Sequence, residues 1–333
     1  MTRPPRKYFS ETSVVLSTAR CAMISPDELL SGKQASDEQR ELLNACHIYL
    51  ICRRPRLAFD PDSFAFGSVR STGNLCRIIK GKRELYRFSL RVINEDGGPV
   101  SVAPYPHRDL LGRDRMGVVT RTWPATFVAN ISNIPAELSD FEVLYVGQAF
   151  GDGTRSALVR LQNHQTLQKI LAETHGKNPD DEIMIFMFEY PAPQIHVSMD
   201  GIGKDAEIND QQDTDHILNV LENPPSEKEL VSMAEAGLIW YFKPEFNEKL
   251  KGSQPNTSLK LLASCYKYDI AGMVVEINTE ELKCRLWSPQ REAGYHHIAH
   301  FDLHDAEKRR SFFSLVDDSG DITLLDLSGP ALR

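Results

Sequence analysis

The sequence predicts an α+β protein in three parts: an N-terminal α/β module over 1–118, a central domain of strands and helices over 119–254, and a β-rich C-terminal appendage over 255–333. Three observations carry this. The central stretch runs strand, strand, helix, strand, helix by its apolar periodicity. Short apolar runs between turn residues stand on both sides of it, around 74–93 and 272–303. The composition, 41% hydrophobic and 25% charged over 333 residues, is that of a globular chain long enough for two or three domains.

The elements follow in chain order. Residues 37–51 read as a helix, with Leu42, Leu43, Cys46 and Tyr49 or Leu50 at helical spacing and Ser36 or Asp37 as its cap. Residues 74–79 and 85–93 read as strands around the basic turn Lys80-Gly81-Lys82-Arg83, and Asp96-Gly97-Gly98-Pro99 is a turn. Residues 103–117, with Pro104, Pro106, Gly112 and Gly117, read as a loop or linker before a boundary near 118. In the centre, 126–131 and 141–147 read as a strand pair. Thr154 can cap a helix running to about Glu173, and 183–190 is the apolar run of a strand buried on both faces. The polar stretch 200–216 reads as an exposed insertion. Ser226-Glu227-Lys228-Glu229 is a capping box, opening a helix to about Phe242 that Pro244 closes. Strands are expected at 272–277, 284–287 and 295–303, and a short helix at 306–316.

Charge is unevenly spread along the chain, whose net value is −8. Residues 1–120 hold 19 Lys and Arg against 13 Asp and Glu, while 121–255 hold 10 against 21. A phosphate footprint would therefore lean on the N-terminal part. Arg53, Arg54, Lys80, Lys82 and Arg83 are its candidates there. The six cysteines form no CxxC pair, so neither a zinc ribbon nor a dithiol redox site is expected. Free thiols, no apolar run of about 20 residues and no apolar leader after the basic start lead to the expectation of a cytoplasmic protein off the membrane.

The residues that carry chemistry lie in the centre. Tyr145 precedes Gly147 at the end of a strand, where its phenol can orient a water. Arg160 and His164, four apart on one predicted helix, share a face. Arg160 can clamp a phosphate oxygen, and Arg155 just before it is a second possible phosphate ligand. Glu235 lies on a helix and offers one carboxylate to a divalent cation, with waters and substrate oxygens completing its shell. Asn247 follows Pro244 at that helix's exit.

In this order, Leu144-Tyr145-Val146-Gly147, Arg160 to His164, Glu235-Ala236-Gly237 and Pro244-Glu245-Phe246-Asn247 resemble the GIY-YIG nuclease superfamily over roughly 124–250. The resemblance implies a small, mostly antiparallel central sheet flanked by helices. It also implies a metal-dependent endonuclease with Tyr145, Arg160, His164, Glu235 and Asn247 as catalytic residues, Glu235 on Mg²⁺ or Mn²⁺, and nucleic acid, DNA by preference, as partner. The family's first-strand tyrosine falls on or near Phe127. Restriction, mobile-element and repair roles all fit, and a protein-binding role for the flanks is a further expectation. The contrasting expectation is a catalytically inactive domain of this kind, serving as a nucleic-acid-binding or scaffold module. In the tail, His296, His300, Asp302 and His304 alternate along one strand face, too far apart to hold one ion, and read as a solvated face.

Overall fold

The computed structural model of the protein describes residues 8–31, 36–91, 94–132, 134–148, 165–198, 209–249 and 268–303. The chain is α+β. Its larger sheet has six strands, in the order β15 (Arg291–Gly294), β14 (Arg285–Ser288), β10 (Asp140–Gln148), β3 (Ile48–Pro55), β11 (Asp181–Glu189) and β2 (Arg20–Ile24). Neighbours run antiparallel except β10 and β14. The second sheet orders β12 (Gln194–Ser198), β1 (Glu11–Leu16), β13 (Ile270–Asn278) and β16 (His296–Asp302), with β1 parallel to β13. Both sheets take strands from all three of the stretches 1–118, 119–254 and 255–333, so the chain crosses the expected boundaries within single sheets.

The centre of the larger sheet is apolar on both faces. In β3 the unbroken run Ile48-Tyr49-Leu50-Ile51-Cys52 is wholly buried, and β11 is buried from Glu182 to Phe188. One face is covered by α1 (Pro26–Ser31), α2 (Asp37–Ala45), α4 (Gln165–Lys177) and α7 (Glu245–Lys249), which contribute Leu29, Leu43, Leu167, Ile170 and Phe246. The other face meets α6 (Glu227–Phe242), whose Val231, Met233, Ala234 and Phe242 share one apolar core with both sheets. Gly237 sets how closely α6 approaches the second sheet: a Cβ there would lie 2.9 Å from Val275 and 3.1 Å from Phe301. The capping box predicted at Ser226 is formed, with the Ser226 and Glu229 side chains each holding the other's backbone amide. A second capping box, Asn209 with Gln212, starts α5 (Asp210–Glu222).

β3 and β10 are neighbours, yet residues 56–139 lie between them in sequence. That stretch forms a unit of two three-stranded sheets, β4 (Leu57–Phe59), β5 (Ser71–Ile79), β6 (Lys82–Leu90) and β7 (Gly97–Val102), β8 (Asp109–Asp114), β9 (Val119–Pro124), closed by α3 (Ala125–Ile131). Leu57, Phe59, Leu75, Phe88, Leu110, Val128 and Leu138 are among the residues of its own core.

Several expectations are corrected. Residues 126–131 are helical, because Ala125, Val128 and Ala129 fall at i, i+3 and i+4 and bury together after the helix-starting Pro124. The helix expected over 37–51 ends at Ala45, and Ile48 begins a strand, since an apolar run without polar positions fits a strand covered on both faces. Strand β8 occupies much of the expected loop at 103–117. Residues 210–216 belong to α5, with Asp213 and His216 buried rather than on an exposed insertion. The expected strands at 141–147, 183–190 and in the tail are present as β10, β11, β13, β14 and β16. On β16, His296 and His300 are exposed while His297, Ala299 and Phe301 are buried. His304 and the helix expected at 306–316 lie outside the described residues.

Candidate functional site

The site is organised by a bulge in β10. Val143 pairs with Cys52, but Tyr145 pairs with Ile51, so Leu144 is an extra residue. Strict alternation would set Tyr145 opposite Leu50, on the face covered by α6. The bulge turns it over instead. Tyr145 joins Tyr49 and Ile51 in the core under α4 and α7, while Val143 and Val146 face α6. The Tyr49 and Tyr145 rings lie 6.1 Å apart, tilted by 35°. Gly147 is directly opposite Tyr49, and a Cβ on it would come within 2.5 Å of the Tyr49 Cζ and Oη and 2.7 Å of the Tyr145 ring. Only glycine leaves room for both phenols at this point of the strand.

The outer edge of β10 is closed by side chains. β14 pairs with β10 only from Asp140 to Glu142. Beyond it, Asn247 Oδ1 accepts from Val146 N at 2.8 Å and its Nδ2 donates to Val146 O at 2.9 Å. Two residues on, on the same edge, Gln148 N donates to Glu235 Oε1 at 3.1 Å. The Gln148 side-chain oxygen lies 3.1 Å from Ser232 Oγ, one turn before Glu235 on α6. Asn247 is buried and Glu235 half-buried. Glu235 can face the strand because its neighbours Ala234, Ala236 and Gly237 pack the rest of α6 tightly.

Tyr145, Glu235 and Asn247 thus meet the same four residues of β10. Arg155, Arg160 and His164 lie outside the described residues. Phe127 is not beside Tyr145: it sits on α3, 47% exposed. The tyrosine on the strand paired with β10 is Tyr49, in His47-Ile48-Tyr49. Reading 37–51 as one helix hid it; the signal that finds it is the five-residue apolar run beginning at Ile48.

The basic candidates stand elsewhere. Arg53 pairs with Glu142 at 2.7 Å and approaches Asp181 at 3.9 Å. Arg54 is 2% exposed, bonded to Glu182, the Leu138 carbonyl and Thr126, and stacked on Phe141. Its charge is spent inside the protein, where it ties α3 to the sheet, so it is withdrawn from the phosphate candidates. Lys80, Lys82 and Arg83 are exposed at the turn between β5 and β6.

Among the described residues no three His, Cys, Asp or Glu side chains form a metal cluster. Glu235, anchored by the Gln148 amide, fits a hard cation as a single fixed carboxylate, the minimum that Mg²⁺ needs when water and substrate oxygens complete its shell. Four buried thiols are poor nucleophiles: burial pushes Cys21 and Cys284 up to about 11 and Cys46 to about 12, and raises Cys52 well above the ordinary thiol value. No helix among the described residues is long and apolar enough to cross a membrane. Set against protein-family models, curated proteins and solved structures, the chain matches none.

Proposed function

We propose that the chain is a metal-dependent endonuclease of GIY-YIG type, cutting phosphodiester bonds in nucleic acid, with DNA as the preferred substrate. The observation that carries the reading is the pair of tyrosines facing each other across Gly147 on adjacent antiparallel strands. In this reading His47-Ile48-Tyr49 takes the part of the family's first strand motif, and Tyr145-Val146-Gly147 that of its second. The central order β10-β3-β11 with helices outside it is compatible with the small antiparallel sheet that the resemblance implies.

In this reading the two phenols hold and orient the attacking water. Asn247 fixes the strand that carries Tyr145, and Glu235 would hold Mg²⁺ or Mn²⁺. When bound, such an ion supplies positive charge against the crowded phosphate of the transition state. Arg160 and His164 are proposed for phosphate clamping and proton transfer. The free cysteines fit a reducing, cytoplasmic setting.

One observation favours the contrasting reading of an inactive binding module: Tyr49 and Tyr145 are only 2% and 5% exposed. Cleavage of supercoiled plasmid and branched DNA with Mg²⁺ or Mn²⁺ separates the two. Activity that needs the metal and is lost in Glu235→Ala and in Tyr49→Phe supports the nuclease. DNA binding with no cleavage by the unaltered protein supports the inactive module.

A further inference from the structure

The unit at 56–139 differs in charge from the rest of the protein. It carries 12 Lys and Arg against 8 Asp and Glu, in a chain whose net charge is −8. Among the described residues its β6 is an edge strand, paired with β5 on one side. Phe88 and Leu90 point into the unit's core, and Glu84 is held by Arg77 and Tyr86 on that inner side. The alternate residues Arg83, Leu85, Arg87 and Ser89 point outward, and Arg91 follows the strand. Leu85 is 52% exposed. Lys80, Lys82, Arg87 and Arg91 are exposed, and none has an ion pair or side-chain hydrogen bond among the described residues. Arg70 is held across the end of this row by Ser89. Two carboxylates meet the turn, Asp60, 3.5 Å from Arg83, and Asp180, which accepts from Gly81 N.

We propose that the outward face of β6, with Arg83, Arg87 and Arg91, together with Lys80 and Lys82 at the adjoining turn, is a phosphate-binding strip that anchors a nucleic-acid duplex. All of these cations but Arg83, which pairs with Asp60, are left unneutralised among the described residues, and such a group on an acidic protein suits a polyanion better than a compact ligand. At about 3.3 Å per strand residue, Arg83, Arg87 and Arg91 stand successively about 13 Å apart, a row long enough to meet more than one backbone phosphate of a duplex.

The strip also has a position. Its turn touches Asp180, beside the first residue of β11, whereas Tyr49 pairs with Met187 near the last. Six strand residues separate these levels, about 20 Å. The turn end of the strip therefore lies about 20 Å along β11 from the level of the tyrosine pair. Only the cutting of the bound nucleic acid rests on the nuclease reading; the binding stands apart from it.

The test is fluorescence anisotropy of a labelled 30-base-pair DNA duplex with the full chain across a salt series. Unaltered protein is compared with K82A/R87A/R91A and with R40A/K169A, which removes exposed cations from other elements, folding of each being checked by circular dichroism. The strip predicts at least tenfold weaker binding for the triple variant at low salt. It also predicts a fall of roughly 2.7 in the slope of log K against log salt, at about 0.9 per phosphate contact. No binding by the unaltered protein, an unchanged slope in the triple variant, or an equal loss in R40A/K169A would overturn it. If the triple variant binds and cuts like the unaltered protein, the strip falls and the nuclease reading stands. Strip-dependent binding without cleavage leaves the strip and removes the nuclease.

Discussion

Asn247 takes the place of a neighbouring strand beside Val146. Its side-chain amide satisfies both backbone groups of that residue, at 2.8 and 2.9 Å, where β14 no longer reaches. The pairing fixes the strand segment on which Tyr145 and Gly147 are set, and Glu235 extends the same edge by one more bond to Gln148.

Asn247→Ala should therefore behave as a structural as well as a functional lesion. It leaves a buried N–H and a buried C=O without partners, each costing about 1–3 kcal/mol. A loss of roughly 3 kcal/mol in urea unfolding is expected. A loss below about 0.5 kcal/mol would show that the strand edge is held by other groups.

Gly147→Ala tests the close packing of the tyrosines. The added methyl meets the Tyr49 ring at 2.5 Å, so Tyr49 must leave its place. Overpacking of this kind costs about 1–3 kcal/mol. Because the cost arises from one contact, Tyr49→Ala should relieve part of it. The double variant should be more stable than the sum of the singles predicts, by roughly 0.5–2 kcal/mol. Strict additivity would mean that the chain bends at Gly147 rather than displacing Tyr49.

How far the site was legible can be argued from these residues. Tyr145, Gly147, Glu235 and Asn247, which the structure brings to one stretch of β10, each sit at a local signal: a strand end before glycine, a tightly packed helix, a residue after a helix-stopping proline. Ser226 likewise marks its helix in the local sequence. Tyr49 could not be read this way. Its run follows a genuine capped helix by two residues, and helical spacing extends by chance across Cys46 to Tyr49. Its partner strand lies beyond a whole inserted unit, so no short-range hairpin signal connects the two. Residues 126–131 around Phe127 read as a strand because of their β-branched neighbours, although tertiary packing makes that segment helical. The bulge at Leu144 has no local marker, since both faces of β10 are apolar and a shift by one residue leaves the pattern unchanged.

Arg54 offers a test of the inserted unit's attachment. Its guanidinium joins Glu182 on β11 to the Leu138 carbonyl and Thr126, and Arg108 completes the pairing of Glu182. Arg54→Met removes one partner of a buried ion pair and should destabilise by on the order of 3 kcal/mol, softened by the remaining Arg108. The salt slope of DNA binding should stay unchanged in the folded variant. A reduced slope would return Arg54 to the phosphate contacts.

His297 makes stability depend on pH with a definite sign. Its Nε2 lies between the Leu286 and Gly294 carbonyls, 2.9 and 3.1 Å away, so that nitrogen carries the proton of the neutral ring. Burial lowers its pKa, the two carbonyls oppose the shift, and His296 and Arg291 add to it. The unfolded chain therefore binds a proton at higher pH than the folded one. The contribution is complete above the ordinary histidine value of about 6.5 and is lost as pH falls from there through the lowered folded value. Urea midpoints should drop between pH 7.5 and 5.5, and His297→Gln should flatten part of that drop while lowering stability at pH 7.5. An identical pH profile in the variant would place the dependence on other groups.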